Sequence, residues 1–119
     1  MKSQENQIFR FNLVSPESLL FSEKVEMVIL PGEEGDMGIL YNHAPVLSSL
    51  KVGIIDVYQD GISSVTKRFF VGGGFASVNS KECVVLTDKA ILLPDLDSKS
   101  LEKYIQEMKS SFIVGSSKL

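Results

Sequence analysis

Short β-prone segments separated by turn residues run from Ile8 to about Leu93, and this pattern restricts the fold more than any other feature. The first segment, Ile8–Val14, alternates apolar Phe and Leu with Arg10 and Asn12, as in a strand with one buried face. Further strand candidates follow at residues 19–21, 25–30, 46–50, 53–59, 62–66, 68–71, 75–78 and 83–87. This regular spacing predicts a mainly β fold, an antiparallel β-sandwich or barrel.

Two glycine-containing segments carry specific expectations. Asp60-Gly61 stands between two β-prone runs and predicts a tight two-residue hairpin, because a type I′ turn needs positive φ at both central residues. Gly72-Gly73-Gly74 leads into a strand-like run rather than a helix, so a phosphate-binding loop is disfavoured. We interpret these three glycines as a bulge or a close crossing of two backbones.

The stretch from Pro31 to Pro45 contains three glycines, two prolines, three carboxylates and the only histidine of the chain. Glycine permits positive φ, and proline fixes φ and removes a hydrogen-bond donor. We therefore expect a long, tightly shaped surface loop here rather than a central strand. Loops of this kind often carry the function of a rigid scaffold.

His43 is the natural candidate for a general base, and Glu33, Glu34 and Asp36 together with His43 are candidate metal ligands. No nucleophile motif lies beside His43, and the spacing of the carboxylates matches no known metal loop. Contact with a partner is therefore favoured over catalysis or metal binding, and no cofactor is expected. Two alternatives stay open: a β-sandwich ligand-binding module that uses the 31–45 loop, and a small hydrolase with His43 as its base.

Composition excludes several classes of protein. The net charge of −3 and the scattered Lys and Arg residues argue against nucleic-acid binding. Cys83 is the only cysteine and lies in an apolar run, so we expect a buried, unreactive thiol. The first residues include no apolar signal segment, and no stretch is long enough to cross a bilayer. We expect a cytoplasmic protein, or one soluble on one side of a membrane.

The apolar period changes after Pro94, which divides the chain into residues 1–94 and residues 95–119. Asp97 or Ser98 is a suitable N-cap, and Gly115 is a suitable end for the helix that follows. Its apolar stripe consists of Leu101, Tyr104, Ile105, Met108 and Phe112. A helix of roughly fifteen residues is only marginally stable alone in water, so its apolar stripe needs a surface to pack against. Packing on the chain's own sheet is favoured over docking on another chain.

The order of several motifs resembles one known family. Leu13-Val14-Ser15-Pro16-Glu17 is followed by the Pro31–Leu40 stretch, His43-Ala44-Pro45-Val46-Leu47, Gly72-Gly73-Gly74-Phe75-Ala76, and the late strand from Val84 to Ala90. This co-linear set, spanning residues 8–93, resembles the epsilon subunit of F-type ATP synthases, which is called delta in mitochondria.

The resemblance implies a β-sandwich of two antiparallel sheets followed by a helical hairpin, and a subunit without catalytic residues. Such a subunit belongs to the central stalk, binds the gamma subunit and the ring of c subunits, and couples proton-driven rotation to ATP synthesis. By position, Ser15 and His43 are expected to face gamma, and Asp36 to face the c ring. The implied location is peripheral, on the cytoplasmic side of a bacterial inner membrane, without membrane insertion.

One departure from the family concerns the last 25 residues or so. They provide one helix where the family usually has two, and they contain no arginine. Binding of ATP by this segment and strong inhibition of ATP hydrolysis are therefore not expected. A weaker or different regulatory role is expected instead, and contact between the single helix and the alpha/beta catalytic head is left open.

Overall fold

The computed structural model describes residues 7–94, 99–100 and 102–107. Strands account for most of these residues, and residues 99–100 and 102–107 belong to one short helix, α1. The strands in chain order are β1 (Phe9–Val14), β2 (Leu19–Val25), β3 (Met27–Gly32), β4 (Gly35–Leu40), β5 (Val46–Tyr58), β6 (Lys67–Val78), β7 (Glu82–Leu86) and β8 (Ala90–Leu92). The expected mainly β fold is confirmed.

The long strands β5 and β6 are shared by two layers. They pair in one register from Val46–Val78 to Val57–Lys67, and the register skips only Lys51 and Gly73. On its other edge, β6 pairs with β8 through residues 69–71 and with β7 through residues 75–78. The first layer consists of β2, β1, β7 and the adjoining halves of β6 and β5. The second layer consists of β8, the other halves of β6 and β5, then β3 and β4.

The two layers face each other across one hydrophobic core. Aromatic rings join them directly: the Phe21 ring of β2 lies 5.9 Å from the ring of Phe11 in the first layer and 5.1 Å from that of Phe69 in the second layer. Each strand from β1 to β7 contributes at least one side chain to this buried cluster. Alternation along the strands thus sends one set of side chains inward and the other outward.

One pairing differs from the expected antiparallel arrangement. β1 runs parallel to β7, in the register Arg10–Glu82 to Val14–Leu86, while the other pairings among the described strands are antiparallel. A parallel pair needs a long crossover connection, and here the chain passes through β2 to β6 before it returns beside β1. The sequence pattern of each strand carries no information about that return.

The expectation of a long loop from Pro31 to Pro45 is wrong. Most of this stretch is a hairpin of β3 and β4 with Glu33-Glu34 at its tip, and only the last five residues form a turn. The β3–β5 pairing shifts register between Ile29 and Gly32, which is where Pro31 lacks an N–H to donate. Gly53 fits beneath this proline, because a Cβ at Gly53 would lie 2.8 Å from the Pro31 Cβ.

The tight hairpin expected at Asp60-Gly61 is also wrong. β5 ends at Tyr58 and β6 begins at Lys67, so a loop of residues 59–66 joins them. Thr66 closes this loop: its N–H and its hydroxyl donate to the Val57 carbonyl at 2.8 and 3.0 Å, and its hydroxyl accepts from the Gln59 N–H at 3.2 Å. The hydrogen bonds of Thr66 thus close a longer loop in place of the short turn. Residues 62–66 belong to this loop and do not form the expected strand.

The close crossing expected at Gly72-Gly73-Gly74 is confirmed. Gly73 and Gly74 have φ values of 93° and 140°, and a Cβ at Gly74 would overlap the carbonyl oxygen of Leu86. Thr87 fixes the crossing, because its buried hydroxyl donates to the Gly73 carbonyl at 2.6 Å and its N–H donates to the Val14 carbonyl at 2.9 Å. At this crossing β6 exchanges β8 for β7 as its neighbour.

Helix α1 lies on the outer side of the second layer. Tyr104 and Ile105 pack against the buried pair Phe70 and Leu93, as does Ile54 of β5. These two stripe residues therefore contact the chain's own sheet, as favoured by the sequence. The other stripe residues (Leu101, Met108 and Phe112), the proposed caps Asp97 and Ser98, and Gly115 lie outside the described residues. The division at residue 94 stays a prediction.

Replacing Gly74 by alanine tests the crossing. We expect Gly74→Ala to lower the free energy of unfolding by about 2–4 kcal/mol, because the added Cβ meets backbone at an unfavourable φ. Gly38→Ala is the matched control, since a Cβ there meets nothing within 4 Å. Urea unfolding of both variants measures the difference; equal losses would contradict the role given to Gly74.

Candidate interaction site

Ser15 lies in the turn between β1 and β2 and shapes that turn. Its N–H donates to the Ser18 carbonyl at 2.9 Å, and its hydroxyl oxygen accepts from the Ser18 and Glu17 N–H groups at 3.2 and 3.4 Å. The side chain is therefore engaged with its own turn, as in a short ST motif. These bonds show that Ser15 fixes the turn at the end of β1, and its hydroxyl is not arranged as a nucleophile.

His43 lies in the turn that follows β4. Asn42 enters this turn with a φ of 65°, a value that non-glycine residues other than Asn seldom adopt. The His43 N–H donates to the Leu40 carbonyl at 3.2 Å, and its Nδ1 lies 2.7 Å from the Ala44 carbonyl oxygen. The Asn42 N–H donates to the Ser80 carbonyl at 3.0 Å, which attaches the turn to the β6–β7 connection.

The structure does not bring Ser15 and His43 together. Ser15 follows Val14, which pairs with Leu86 at the end of β7, whereas the His43 turn is attached beside Glu82 at the start of β7. Four residue steps of strand separate these ends, or roughly 13 Å. The two residues therefore mark opposite ends of the first layer and form no catalytic pair.

The proposed metal ligands are also separated. Glu33 and Glu34 lie at the hairpin tip, whereas His43 lies beyond the other end of β4, a strand of about 17–20 Å. Among residues 7–94 and the described part of α1, no group of three His, Cys, Asp or Glu side chains is arranged to hold a metal ion. The groove of about 500 Å³ between the hairpin tip and β5 has no aromatic lining, so it offers no stacking platform for a sugar.

Asp36 is exposed on β4, which is the outermost strand of the second layer. Its charge acts on Asp56, which lies on β5 beside Arg68 with 3.3 Å between the carboxylate Oδ1 and the guanidinium Nε. Burial raises the pKa of Asp56 above its ordinary value of 3.8; Arg68 opposes this shift, and Asp36 adds to it. The charge of Asp36 on the hairpin therefore influences the pKa of a carboxyl group on β5, in the same layer.

Cys83 is buried, as expected from the sequence. Burial, and to a smaller extent the charge of Glu82, raises the pKa of its thiol to about 12. The thiol stays protonated at neutral pH and is a core side chain, not a nucleophile.

An exposed apolar surface is the feature that sequence reasoning missed. Phe75 pairs with Leu86, Leu86 pairs with Val14, and Val14 pairs with Leu19, so one row of apolar side chains crosses β6, β7, β1 and β2. Leu47 projects from β5 on the same side, two residue pairs beyond the Ser49–Phe75 pair, and is 76% exposed. We call these residues (Val14, Leu19, Leu47, Phe75 and Leu86) the outer apolar face.

A polar network borders the outer apolar face. The Asn12 amide donates to the Glu82 carboxylate at 2.5 Å, the Ser22 hydroxyl donates to the Asn12 side-chain oxygen at 2.5 Å, and Arg10 donates to Ser22 at 3.0 Å. The outward side of the first layer is therefore apolar near Ser15, at the end of β1, and polar toward the start of β1. The available signal was that the strands at residues 75–78 and 83–87 carry apolar residues at outward as well as inward positions.

Comparison with known proteins connects this architecture to a family. A family model described as "ATP synthase, Delta/Epsilon chain, beta-sandwich domain" matches residues 8–93. The chain belongs to this family. The protein named ATP synthase epsilon chain of Parvibaculum lavamentivorans is 50% identical over 95 residues, which cover 80% of this chain and 70% of that one. Its namesake from Rhodospirillum rubrum is 48% identical over 96 residues, which cover 81% and 70%.

Solved structures agree with this assignment. A chain of the Euglena gracilis mitochondrial ATP synthase, solved as an OSCP/F1/c-ring assembly, superposes with a TM-score of 0.66 at 27% identity. The match covers 87% of this chain but only 64% of the Euglena chain. A chain of the Tetrahymena thermophila central stalk and c-ring has the same fold, with a TM-score of 0.60, 14% identity and coverage of 92% and 95%.

Membership of this family makes the chain a non-catalytic subunit of an ATP synthase, as expected. Within the described residues, no helix has the length and apolar character needed to cross a membrane.

The charge coupling on the second layer can be tested by titration. We expect Asp36→Asn to lower the pKa of Asp56 and Arg68→Gln to raise it by a larger amount, because Arg68 stabilises the carboxylate more than Asp36 opposes it. Carbon-detected NMR titration of the Asp56 carboxyl measures both shifts, with Asp60→Asn as the control.

The same titration has a consequence for stability. Because the folded-state pKa of Asp56 exceeds 3.8, the free energy of unfolding should fall as the pH rises from 3.8 through that pKa. An Asp56 pKa that is the same in wild type, Asp36→Asn and Arg68→Gln would contradict this geometry.

Proposed function

We propose that this chain is a central-stalk rotor subunit of a proton-translocating F-type ATP synthase. In this role it joins the ring of c subunits to the gamma subunit, and so couples ring rotation to ATP synthesis in the catalytic head. Family membership supports the proposal, as do the central-stalk and c-ring assemblies in which its structural neighbours were solved.

The outer apolar face is the observation that carries the proposed contact with gamma. Phe75 is 57% exposed and Leu86 is 46% exposed, and both stand in the row that continues through Val14 to Leu19. A contiguous apolar patch on a small soluble chain marks an interaction surface. Its polar border matches the apolar centre and polar rim of protein–protein interfaces.

Ser15 and His43 are proposed to lie at the two edges of this gamma contact. Ser15 continues β1 directly after Val14, and the His43 turn is attached to the far end of the same layer. One partner that covers the outer apolar face would therefore reach both residues. Their own hydrogen bonds fix the shape of the edges, so the partner meets a surface that needs little ordering.

Asp36 is proposed to face the c ring, together with the hairpin tip. The hairpin is held by β3–β4 pairing from Met27–Leu40 to Gly32–Gly35, and the Glu33 N–H donates to the Ser49 carbonyl at 3.2 Å. Asp36 is exposed and forms no ion pair with any described residue. A braced protrusion with free carboxylates is suited to transmit force to a neighbouring subunit.

The proposed location is peripheral, on the cytoplasmic side of a bacterial inner membrane, and it results from assembly on the c ring. The bacterial origin of the similar epsilon chains supports this placement. The chain is proposed to bind no cofactor of its own and no nucleic acid.

Helix α1 is proposed to have a weaker or different regulatory role than the helical hairpin usual in the family. Tyr104 and Ile105 are engaged with Phe70 and Leu93, so α1 would have to leave the second layer before it could contact the alpha/beta head. That release exposes apolar side chains to water and is therefore disfavoured.

Substitutions on the outer apolar face test the gamma contact. We expect Phe75→Ser to weaken binding to the purified gamma subunit by about 10- to 100-fold, because a large aromatic anchor is lost from the centre of the interface. Isothermal titration calorimetry measures the affinity. Leu92→Ser is the control, because Leu92 is also 57% exposed but lies on β8 in the other layer.

Wild-type protein that captures neither gamma nor c subunits from native membranes would overturn the proposed function. If Phe75→Ser and Leu92→Ser bound gamma equally well, the function would stand but the outer apolar face would not be the contact.

Deletion of residues 98–119 tests the regulatory role. We expect ATP synthesis in reconstituted membranes to be largely unchanged and ATP hydrolysis to rise less than about twofold, because a docked helix does not block the head. A Tyr104→Ala/Ile105→Ala variant, which loosens α1 without shortening the chain, should behave in the same way; Lys103→Ala is its control. A large rise in hydrolysis after deletion would identify α1 as an effective brake.

A further inference from the structure

A second apolar surface lies where β4 ends, at the opposite end of the β3–β4 hairpin from its tip. It is a groove of about 520 Å³, and its lining residues are Gln7, Glu26, Leu40, Tyr41, Asn42, Gly61 and Ile62. They come from four separate parts of the chain: Gln7, two residues before β1; the β2–β3 junction; the end of β4 with its turn; and the β5–β6 loop. The groove is thus built by the fold rather than by one loop.

The groove exposes three large apolar side chains. Ile62 is 57% exposed, Leu40 is 48% exposed and Tyr41 is 41% exposed. Ile62 stands in the loop of residues 59–66, which Thr66 holds closed against Val57. Scattered apolar residues on a surface need no explanation, but three that line one concavity indicate a docking surface.

Glu26 gives the groove its charge. Its N–H donates to the Tyr58 carbonyl at 2.7 Å, which fixes the backbone at the β2–β3 junction. The side chain is half-buried, and it forms no hydrogen bond or ion pair with any of the described residues. A carboxylate held beside apolar side chains favours a cationic group in whatever covers the groove.

The groove continues into the proposed gamma contact. Tyr41 and Asn42 line it, and His43 follows them in the same turn. The Asn42 N–H bond to the Ser80 carbonyl attaches this turn to the β6–β7 connection, at the edge of the first layer. A partner that reaches His43 from the outer apolar face therefore arrives at the rim of the groove.

We propose that the gamma subunit extends past His43 and occupies this groove. An apolar side chain of gamma would lie against Leu40, Tyr41 and Ile62, and a Lys or Arg of gamma would pair with Glu26. This inference rests on the proposed function, since it enlarges the same contact. It adds a site with both apolar and charged specificity to a face that is otherwise apolar at its centre.

The test uses the full chain and purified gamma subunit, with affinity measured by calorimetry at low and high salt. Ile62→Ser should weaken binding about 10-fold at both salt concentrations, because apolar burial is lost. Glu26→Gln should weaken binding about 3- to 10-fold at roughly 50 mM salt and less at roughly 500 mM, because screening removes the lost attraction. Tyr41→Ser removes a second apolar side chain from the groove, and it should weaken binding to gamma at both salt concentrations, as Ile62→Ser does.

Two matched controls lie away from the groove. Leu92→Ser removes an apolar side chain of the same exposed fraction as Ile62, and Glu102→Gln removes an exposed carboxylate from α1. Both should bind gamma within about twofold of wild type. Unfolding midpoints that match wild type show that the groove variants are folded.

The outcomes separate the two proposals. Wild-type protein that does not bind gamma overturns the proposed function, and the inference with it. Wild-type protein that binds gamma, a weakened Phe75→Ser variant and groove variants within twofold of wild type would overturn the inference alone. Loss of binding that is equal at both salt concentrations for Glu26→Gln would contradict the proposed cation.

Discussion

The close approach of Gly73 and Gly74 to Leu86 and Thr87 is the contact on which the rest of the fold depends. Only glycine tolerates both the φ values and the lack of space for a Cβ at Gly74. The Thr87 hydroxyl then holds the Gly73 carbonyl, so a polar group that the crossing would otherwise leave unpaired is satisfied inside the core. Because of this crossing, the single strand β6 takes part in both layers: it pairs with β8 in the second layer and with β7 in the first.

Continuity through the crossing determines which surfaces are covered and which are bare. Before the crossing, Phe70 points outward from the second layer and is covered by Tyr104 and Ile105 of α1. After it, Phe75 points outward from the first layer and remains exposed. The same strand therefore supplies an apolar anchor on each side of the sandwich, one used within the chain and one available to a partner.

The sequence was sufficient for the class of fold, the close crossing and the two stripe residues that the structure places on the sheet, since each depends on local pattern or on glycine alone. It was insufficient for the 31–45 stretch, because the fit of Pro31 depends on Gly53, which lies far away in sequence and approaches it only across the β3–β5 pairing. The outer apolar face was missed for a related reason. Outward apolar residues such as Leu47 and Phe75 become a surface only when the pairing of β5, β6, β7 and β1 is known.

The division of labour between apolar and charged groups follows from magnitudes. An exposed ion pair contributes about 0.2–1 kcal/mol, whereas an aromatic anchor buried in an interface contributes about 2 kcal/mol or more. The carboxylates of the hairpin tip are exposed, so any attraction they provide to the proposed c-ring partner is small and is weakened further by salt. In the proposed function, stable attachment to gamma would then come from Phe75, Leu86 and their neighbours on the outer apolar face. The proposed rotor role would make use of this arrangement: the face proposed to bind gamma is apolar and fixed by the core, and the hairpin proposed to face the c ring is polar and braced by strand pairing.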